Sequence, residues 1–142
     1  MSNVTSRNQT RNQVTFDYDF SKLFLWDNKY RKVNIVATGA DLALKGGMLI
    51  GAVGATYQVY KSGTANISVV GVLAEDDFTI ANGSNADVQV CIGGRVNSSL
   101  LLLDGTDTLA TVVSNRTIQD RITGESMGIE IALNDELTKL DN

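Results

Sequence analysis

The chain has 142 residues, of which 43% are hydrophobic, and its net charge is -4 at a mean hydropathy of -0.02. This composition predicts one globular domain with its own core, and no apolar run approaches the roughly 18 residues of a membrane-spanning helix. Histidine is absent and cysteine occurs once, which excludes Ser-His-Asp and Cys-His catalytic sites, the usual zinc sites and an intramolecular disulfide.

The first 15 residues are polar and lack the apolar run of a secretory signal, and we expect them to be disordered in the free protein. Residues 1–32 hold six basic and three acidic side chains, a net charge of +3. The remaining residues hold six basic and thirteen acidic side chains, a net charge of -7. A basic segment on an acidic body can reach a negatively charged partner or a neighbouring copy.

Six of the nine aromatic residues lie in one stretch near the N-terminus, namely Phe16, Tyr18, Phe20, Phe24, Trp26 and Tyr30. The first three alternate with Asp17 and Asp19, which is the period of a β-strand. One explanation is an edge strand packed on its own domain. The other is a segment that docks on a second protein, because aromatic side chains anchor interfaces. We expect the six aromatic residues to contact a partner protein or a neighbouring copy.

Short apolar runs follow, each of strand length and too short for a typical helix. They are Val33–Ala37, Met48–Val53, Tyr57–Tyr60, Ile67–Leu73 and Val88–Ile92. Turn residues stand between them at Gly54-Ala55, Ser62-Gly63 and Asn82-Gly83-Ser84, since glycine adopts positive φ without steric cost. The pattern predicts an antiparallel meander or a small barrel, with Cys91 as a buried, inert thiol in the last run.

Glu75, Asp76 and Asp77 form a dense carboxylate cluster directly after a predicted strand. The spacing of an EF-hand is absent, and adjacent carboxylates in a loop usually diverge rather than form an acid and base pair. We expect a solvated turn, and the alternative is an acidic loop that contacts Lys or Arg of a partner.

The pattern changes again towards the C-terminus. Leu100–Leu103 fits a buried strand or a short docking segment. Ser114 can cap a helix from about Asn115 to Thr123, which Gly124 would end. Apolar residues alternate over 127–131 and predict a final strand.

These elements predict a mainly β protein, with a small β-barrel or meander domain, one short C-terminal helix and an extended N-terminal arm. We place the arm, partly disordered when free, at residues 1–32, and the small β-rich domain at residues 33–142.

Four motifs follow one another between residues 40 and 133: a Gly-rich strand pair over Gly46–Gly54, Tyr-x-x-Tyr-x-x-Gly at Tyr57–Gly63, Val-Gly-Val-Leu with an acidic turn at Val70–Asp76, and a Val-x-Val strand at Val88–Asn97. Their order resembles that of the lambda-type head-decoration proteins of tailed bacteriophages, which stabilise the capsid. The resemblance implies a decoration-type β-domain that trimerises on quasi-threefold axes of the expanded head shell, with an N-terminal arm over the major capsid protein.

The expected function is therefore a capsid decoration, or cement, protein without catalytic groups or cofactors. Its expected partners are the major capsid protein and further copies of itself in a homotrimer, with no nucleic acid and no membrane. We expect it on the capsid surface of the virion, and in the host cytoplasm during assembly.

Two other functions compete with this hypothesis. The same small β-domain would also suit another virion structural component, such as part of a tail, a baseplate or the base of a head fibre. An enzyme, for instance a hydrolase that uses Asp76, Asp77 or Asp87, is disfavoured because the chain lacks histidine and a spaced carboxylate pair.

Overall fold

The computed structural model describes residues 23–132 and contains ten strands and one α-helix in that range. The strands are β1 (Phe24–Val36), β2 (Leu42–Leu44), β3 (Leu49–Val53), β4 (Thr56–Val59), β5 (Ser68–Leu73), β6 (Phe78–Ile80), β7 (Asn85–Asn97), β8 (Val112–Val113), β9 (Arg116–Thr117) and β10 (Ile129–Ala132). The helix α1 spans Ile118–Glu125, and a short 3-10 turn spans Ser98–Leu100.

Five strands close into a barrel in the order β7-β1-β4-β3-β5, because β5 pairs back onto β7. β10 joins the far half of β7 in parallel and extends the sheet beyond the barrel. β2 and β6 form a separate antiparallel ribbon. This architecture confirms the predicted fold class, a mainly β domain with one short helix near the C-terminus.

β7 is the strand to which the other parts of the barrel are joined. It pairs antiparallel with β1 over nearly its whole length, from Val36 opposite Asn85 to Phe24 opposite Val96. β5 pairs with it around Cys91, and β10 pairs with it from Gly94 onward. β7 pairs with β1 along one edge and with β5 and β10 along the other, and it thereby connects the barrel to the C-terminal part of the fold.

The buried side chains fall into two clusters, on opposite faces of the barrel wall. One cluster takes apolar side chains from all five barrel strands and fills the interior, and the β2–β6 ribbon contributes Leu44 and Ile80 to it. The other lies on the outer face, where Ile118 and Ile122 of α1 pack against the sheet, and it includes Cys91. The structure confirms that Cys91 is a buried free thiol.

The first strand is longer than the sequence pattern predicted. We expected a strand from Val33, but β1 begins at Phe24 and pairs with β7 from there. The boundary proposed between an arm at 1–32 and a domain at 33–142 therefore needs correction over residues 24–32, which belong to the barrel wall. Residues 1–22 and 133–142 lie outside the described range.

The leucine run does not form the buried strand or docking segment as one unit. Leu100 ends the 3-10 turn, and Leu100 and Leu102 are exposed, whereas Leu101 and Leu103 pack against the outer cluster. The exposure of the four side chains alternates because one face of this extended segment covers the core. Leu102 also pairs with Met48 in an isolated β-bridge. A run of four leucines does not indicate which of its side chains will be buried.

The helix also begins later than expected. Ser114 and Asn115 have φ of 53° and 69° and form the two-residue turn of the β8–β9 hairpin. Thr117 caps α1 instead, with its Oγ1 accepting from the Asp120 N–H at 3.1 Å. The helix continues through Gly124, which was expected to end it, to Glu125.

Candidate protein-binding surface

A β-bulge distorts β1 near its start. The register with β7 shifts on both sides of Trp26 and again between Lys29 and Tyr30. Asp27 has φ of 51°, which is uncommon for a residue with a side chain. Bulges of this kind bend a strand and redirect the side chains next to them.

A glycine opposite the bulge makes room for it. Gly94 on β7 has φ of 99°, and a Cβ atom there would lie 2.6 Å from the Asn28 Cα. The Asn28 amide then holds the bulge in place, because its Nδ2 donates to the Arg95 carbonyl oxygen at 3.0 Å and to the Cys91 Sγ at 3.6 Å. Burial raises the pKa of the Cys91 thiol, which keeps its proton and donates to the Gly93 carbonyl oxygen at 3.1 Å.

The bulge gives two neighbouring aromatic side chains opposite environments. Phe24 is 7% exposed and belongs to the outer core cluster, where its ring meets that of Tyr30 edge to face at 5.8 Å. Trp26 is 73% exposed. Leaving an indole in water forgoes roughly 3 kcal/mol of transfer free energy, so the exposed ring is a costly feature of the isolated chain.

Met127 stands beside Trp26 and is 71% exposed. Its backbone N–H donates to the Ile92 carbonyl oxygen at 2.9 Å, which fixes the segment leading into β10. Gly93 permits this approach, since a Cβ atom there would lie 2.7 Å from the Met127 carbonyl oxygen. The sequence pattern placed Met127 inside the final strand, and no signal in the sequence marked it as exposed.

Trp26 and Met127 flank a groove of about 220 Å³, with charged residues of both signs around it: Asp27, Lys29, Arg95 and Glu130. We call this area the Trp26–Met127 surface. Aromatic side chains and methionine are enriched at the centres of protein interfaces, and charged residues at their rims. The arrangement has the composition of a protein-binding surface.

The aromatic residues predicted as one contact segment have three different outcomes. Phe16, Tyr18 and Phe20 lie outside the described residues. Phe24 is buried against its own subunit, which leaves little of its side chain for a contact with a partner. Trp26 is available to a partner, and Tyr30 is 43% exposed at the edge of the core.

The acidic loop binds its own chain at two of its three carboxylates. A Glu75 side-chain oxygen accepts from the Gln89 N–H at 2.7 Å, and an Asp77 side-chain oxygen accepts from the Gly46 N–H at 3.1 Å. Asp76 and Asp77 are exposed and Glu75 is half-buried. The loop is a turn bonded to β7 and to the segment before β3, and Asp76 is its exposed carboxylate outside these two bonds.

Residues 23–132 contain no group of three His, Cys, Asp or Glu side chains placed to hold a metal ion. The helical part of the described chain is too short to span a lipid bilayer. A larger groove of about 530 Å³ lies beside the point where β1 pairs with β4, lined by both apolar and polar side chains, among them Val36, Leu42 and Lys61.

No protein-family model matches the chain, and a search of curated proteins gave no significant match.

Proposed function

We propose that this protein is a bacteriophage capsid decoration protein that binds the outside of the expanded head shell as a homotrimer and stabilises it. Its partners are the major capsid protein and further copies of itself, and its place is the surface of the virion. The Trp26–Met127 surface is the part of the described chain that we assign to the shell.

The observation that carries the proposal is the exposure of Trp26 on a rigid support. The bulge, the opposing Gly94 and the Asn28 hydrogen bonds hold the indole outward from a strand of the barrel. Tryptophan is the residue most enriched among those that dominate interface energies. A backbone that is fixed before binding loses little conformational entropy when a partner covers the side chain it carries.

The fold gives further support, because a compact β-barrel is a suitable body for a protein that reinforces a shell. The order of the motifs over residues 40–133 resembles lambda-type decoration proteins, and in the structure they form β3, β4, β5 and β7 of the barrel. A symmetric shell repeats each contact many times, so even a modest interface on each copy adds up to a large stabilisation.

The test is co-sedimentation of the full chain with expanded phage heads assembled without it. We expect Trp26→Ala to weaken binding at least tenfold, because truncation of a central interface residue typically costs about 2 kcal/mol or more. Val112→Ala is the matched control, since Val112 is also a large exposed hydrophobic residue (64%) and lies away from the Trp26–Met127 surface. Equal binding of the Trp26→Ala variant and the unmodified protein would overturn this assignment.

Point variants are needed here because a deletion of residues 1–30 would remove part of the barrel. Leu23 and Phe24 are buried, and β1 begins at Phe24. Electron microscopy of the bound particles then locates the protein. Density on the shell supports the proposal, whereas density at the tail, baseplate or fibre base supports the other structural role.

A further inference from the structure

The two edges of β1 differ in how they are paired. On one edge β7 accompanies the strand from Phe24 to Val36. On the other edge β4 meets it in parallel at a single registered pair, Ile35 opposite Tyr57. No other strand within residues 23–132 pairs with that second edge. Within residues 23–132, the backbone of β1 from Lys29 to Asn34 therefore has no strand partner on this side.

This edge is exposed and positively charged, although the Asp27 carboxylate lies 3.4 Å from the Lys29 Nζ and offsets part of the charge. All four residues of Lys29–Lys32 are exposed, and three of them are cationic. Arg31 lies on the same face of β1 as the buried Val33, and its Nη2 donates to the Tyr57 hydroxyl at 2.9 Å. Tyr30 and Lys32 lie on the opposite face, where the Tyr30 ring continues the aromatic contact from Phe24.

The sequence contains a segment complementary to both faces of this edge. In an extended conformation Phe16–Phe20 presents Asp17 and Asp19 on one face and its three rings on the other. The carboxylates match the face that carries Arg31. The rings match the face that carries the half-exposed Tyr30, where they would cover apolar surface.

We propose that the Phe16–Phe20 segment of one copy adds as a strand to the open edge of β1, at Lys29–Lys32, in a neighbouring copy. Main-chain hydrogen bonds provide affinity in strand addition, and alternate side chains provide specificity. This inference rests on the self-association that is part of the proposed function. It assigns that self-association to strand exchange, and it can be tested without a capsid.

The short stretch of chain between Phe20 and Leu23 indicates that the segment comes from another copy. Leu23 is fully buried in the core, so the chain is anchored there. Two residues separate Phe20 from this anchor, so Phe20 lies at most about 11 Å from Leu23, whereas Phe16 lies at most about 25 Å from it. Lys29 lies six residues along an extended strand, about 20 Å from Leu23. Lys32 lies about 30 Å from Leu23 on the same scale, so the Phe16–Phe20 segment as a whole cannot cover the Lys29–Lys32 edge of its own subunit.

The first experiment measures the mass of the full-length protein in solution by sedimentation equilibrium. We expect a self-associating protein, and the double variant Asp17→Lys, Asp19→Lys should associate at least about tenfold more weakly because like charges then face the edge. Combining it with Lys29→Glu and Arg31→Glu should restore association. The matched control is Asp135→Lys, Glu136→Lys, which makes the same charge change in the other terminal segment.

A monomeric unmodified protein would overturn the proposal. So would an unchanged association of the Asp17→Lys, Asp19→Lys variant, which would mean that the cations only protect an exposed sheet edge from pairing. Neither result bears on the assignment of the Trp26–Met127 surface to the shell, because head binding tests that assignment.

The second experiment detects the contact directly by disulfide formation between two full-length variants of different tag size. Tyr18→Cys mixed with Lys32→Cys should give a mixed disulfide under mild oxidation, because both positions lie on the ring face of the proposed pair. Tyr18→Cys mixed with Asp120→Cys, on the exposed side of α1, is the control and should not. Cys91 is buried and does not compete. Equal yields from the two mixtures would refute the strand exchange.

Discussion

Two aromatic residues on β1 show that residue type alone does not determine whether a side chain is buried or exposed. Phe24 and Trp26 have the same parity in the sequence, and both were expected to contact a partner. The bulge at Asp27 and Asn28 separates them, and it depends on Gly94 across the strand pair. A local pattern in β1 could not reveal this, because the glycine that permits the bulge lies in β7, far along the chain.

Gly71 is a second position where the packing of two strands depends on a missing side chain. A Cβ atom there would collide with the Cys91 carbonyl oxygen and lie 2.8 Å from the Val90 Cγ1. We expect Gly71→Ala to lower the free energy of unfolding by about 3 kcal/mol, because the backbone of β7 has no space to yield. Urea unfolding followed by tryptophan fluorescence measures the loss.

Gly63→Ala is the control for this prediction. Gly63 lies between β4 and β5, whereas Gly71 lies within β5, and nothing stands within 4 Å of a Cβ atom added at Gly63. The change should alter stability by less than about 1 kcal/mol. A loss at Gly63 as large as that at Gly71 would show that backbone entropy, and not the contact with β7, is responsible.

At the scale of elements, the start of α1 shows how two signals compete for the same residues. Ser114 is a good N-cap by type, but the pair Ser114-Asn115 also suits a two-residue hairpin turn, in which both residues need positive φ. The turn forms because Val112–Val113 and Arg116–Thr117 pair on either side of it. The cap function then passes to Thr117.

We expect Thr117→Ala to destabilise the protein by about 1 kcal/mol, since it leaves the Asp120 N–H without its side-chain partner at the start of α1. The helix covers the outer core cluster with Ile118 and Ile122, so the loss should appear in global thermal unfolding. Ser114→Ala serves as comparison and should cost less. A larger loss at Ser114 than at Thr117 would contradict the assignment of the cap.

At the scale of the whole molecule, buried groups with acidic protons tie stability to pH. Burial raises the pKa of the Cys91 thiol above its ordinary value of 9.0 and that of the Tyr60 hydroxyl above 10.0. In the unfolded chain both groups regain their ordinary pKa values and release their protons earlier as the pH rises. The unfolded state then binds fewer protons than the folded one, so stability falls with rising pH.

We therefore expect the free energy of unfolding to be insensitive to these groups below about pH 9 and to decrease between pH 9 and pH 11. Urea unfolding at several pH values measures the slope. The Cys91→Ala variant is less stable throughout because it leaves a cavity, but its decrease above pH 9 should be shallower. Parallel curves for the variant and the unmodified protein would exclude the thiol as a source of the effect.

Much of the β-barrel could be predicted from the sequence, because strand formation there depends on short-range patterns. The runs at Met48–Val53, Tyr57–Tyr60 and Ile67–Leu73 became β3, β4 and β5 with small changes at their ends, and Cys91 is buried as expected. Alternating or β-branched apolar residues between glycine-rich turns leave few other conformations that bury them.

The pairing of distant segments was decided only by the tertiary structure. The continuation of β1 back to Phe24, the bulge that exposes Trp26 and the position of Met127 beside it depend on which segments lie against β7, and the edge at Lys29–Lys32 depends on how far β4 accompanies β1. The local sequence determined which residues prefer to be extended or buried. The tertiary structure determined which of them remain exposed, because burial depends on neighbours that are remote in the chain.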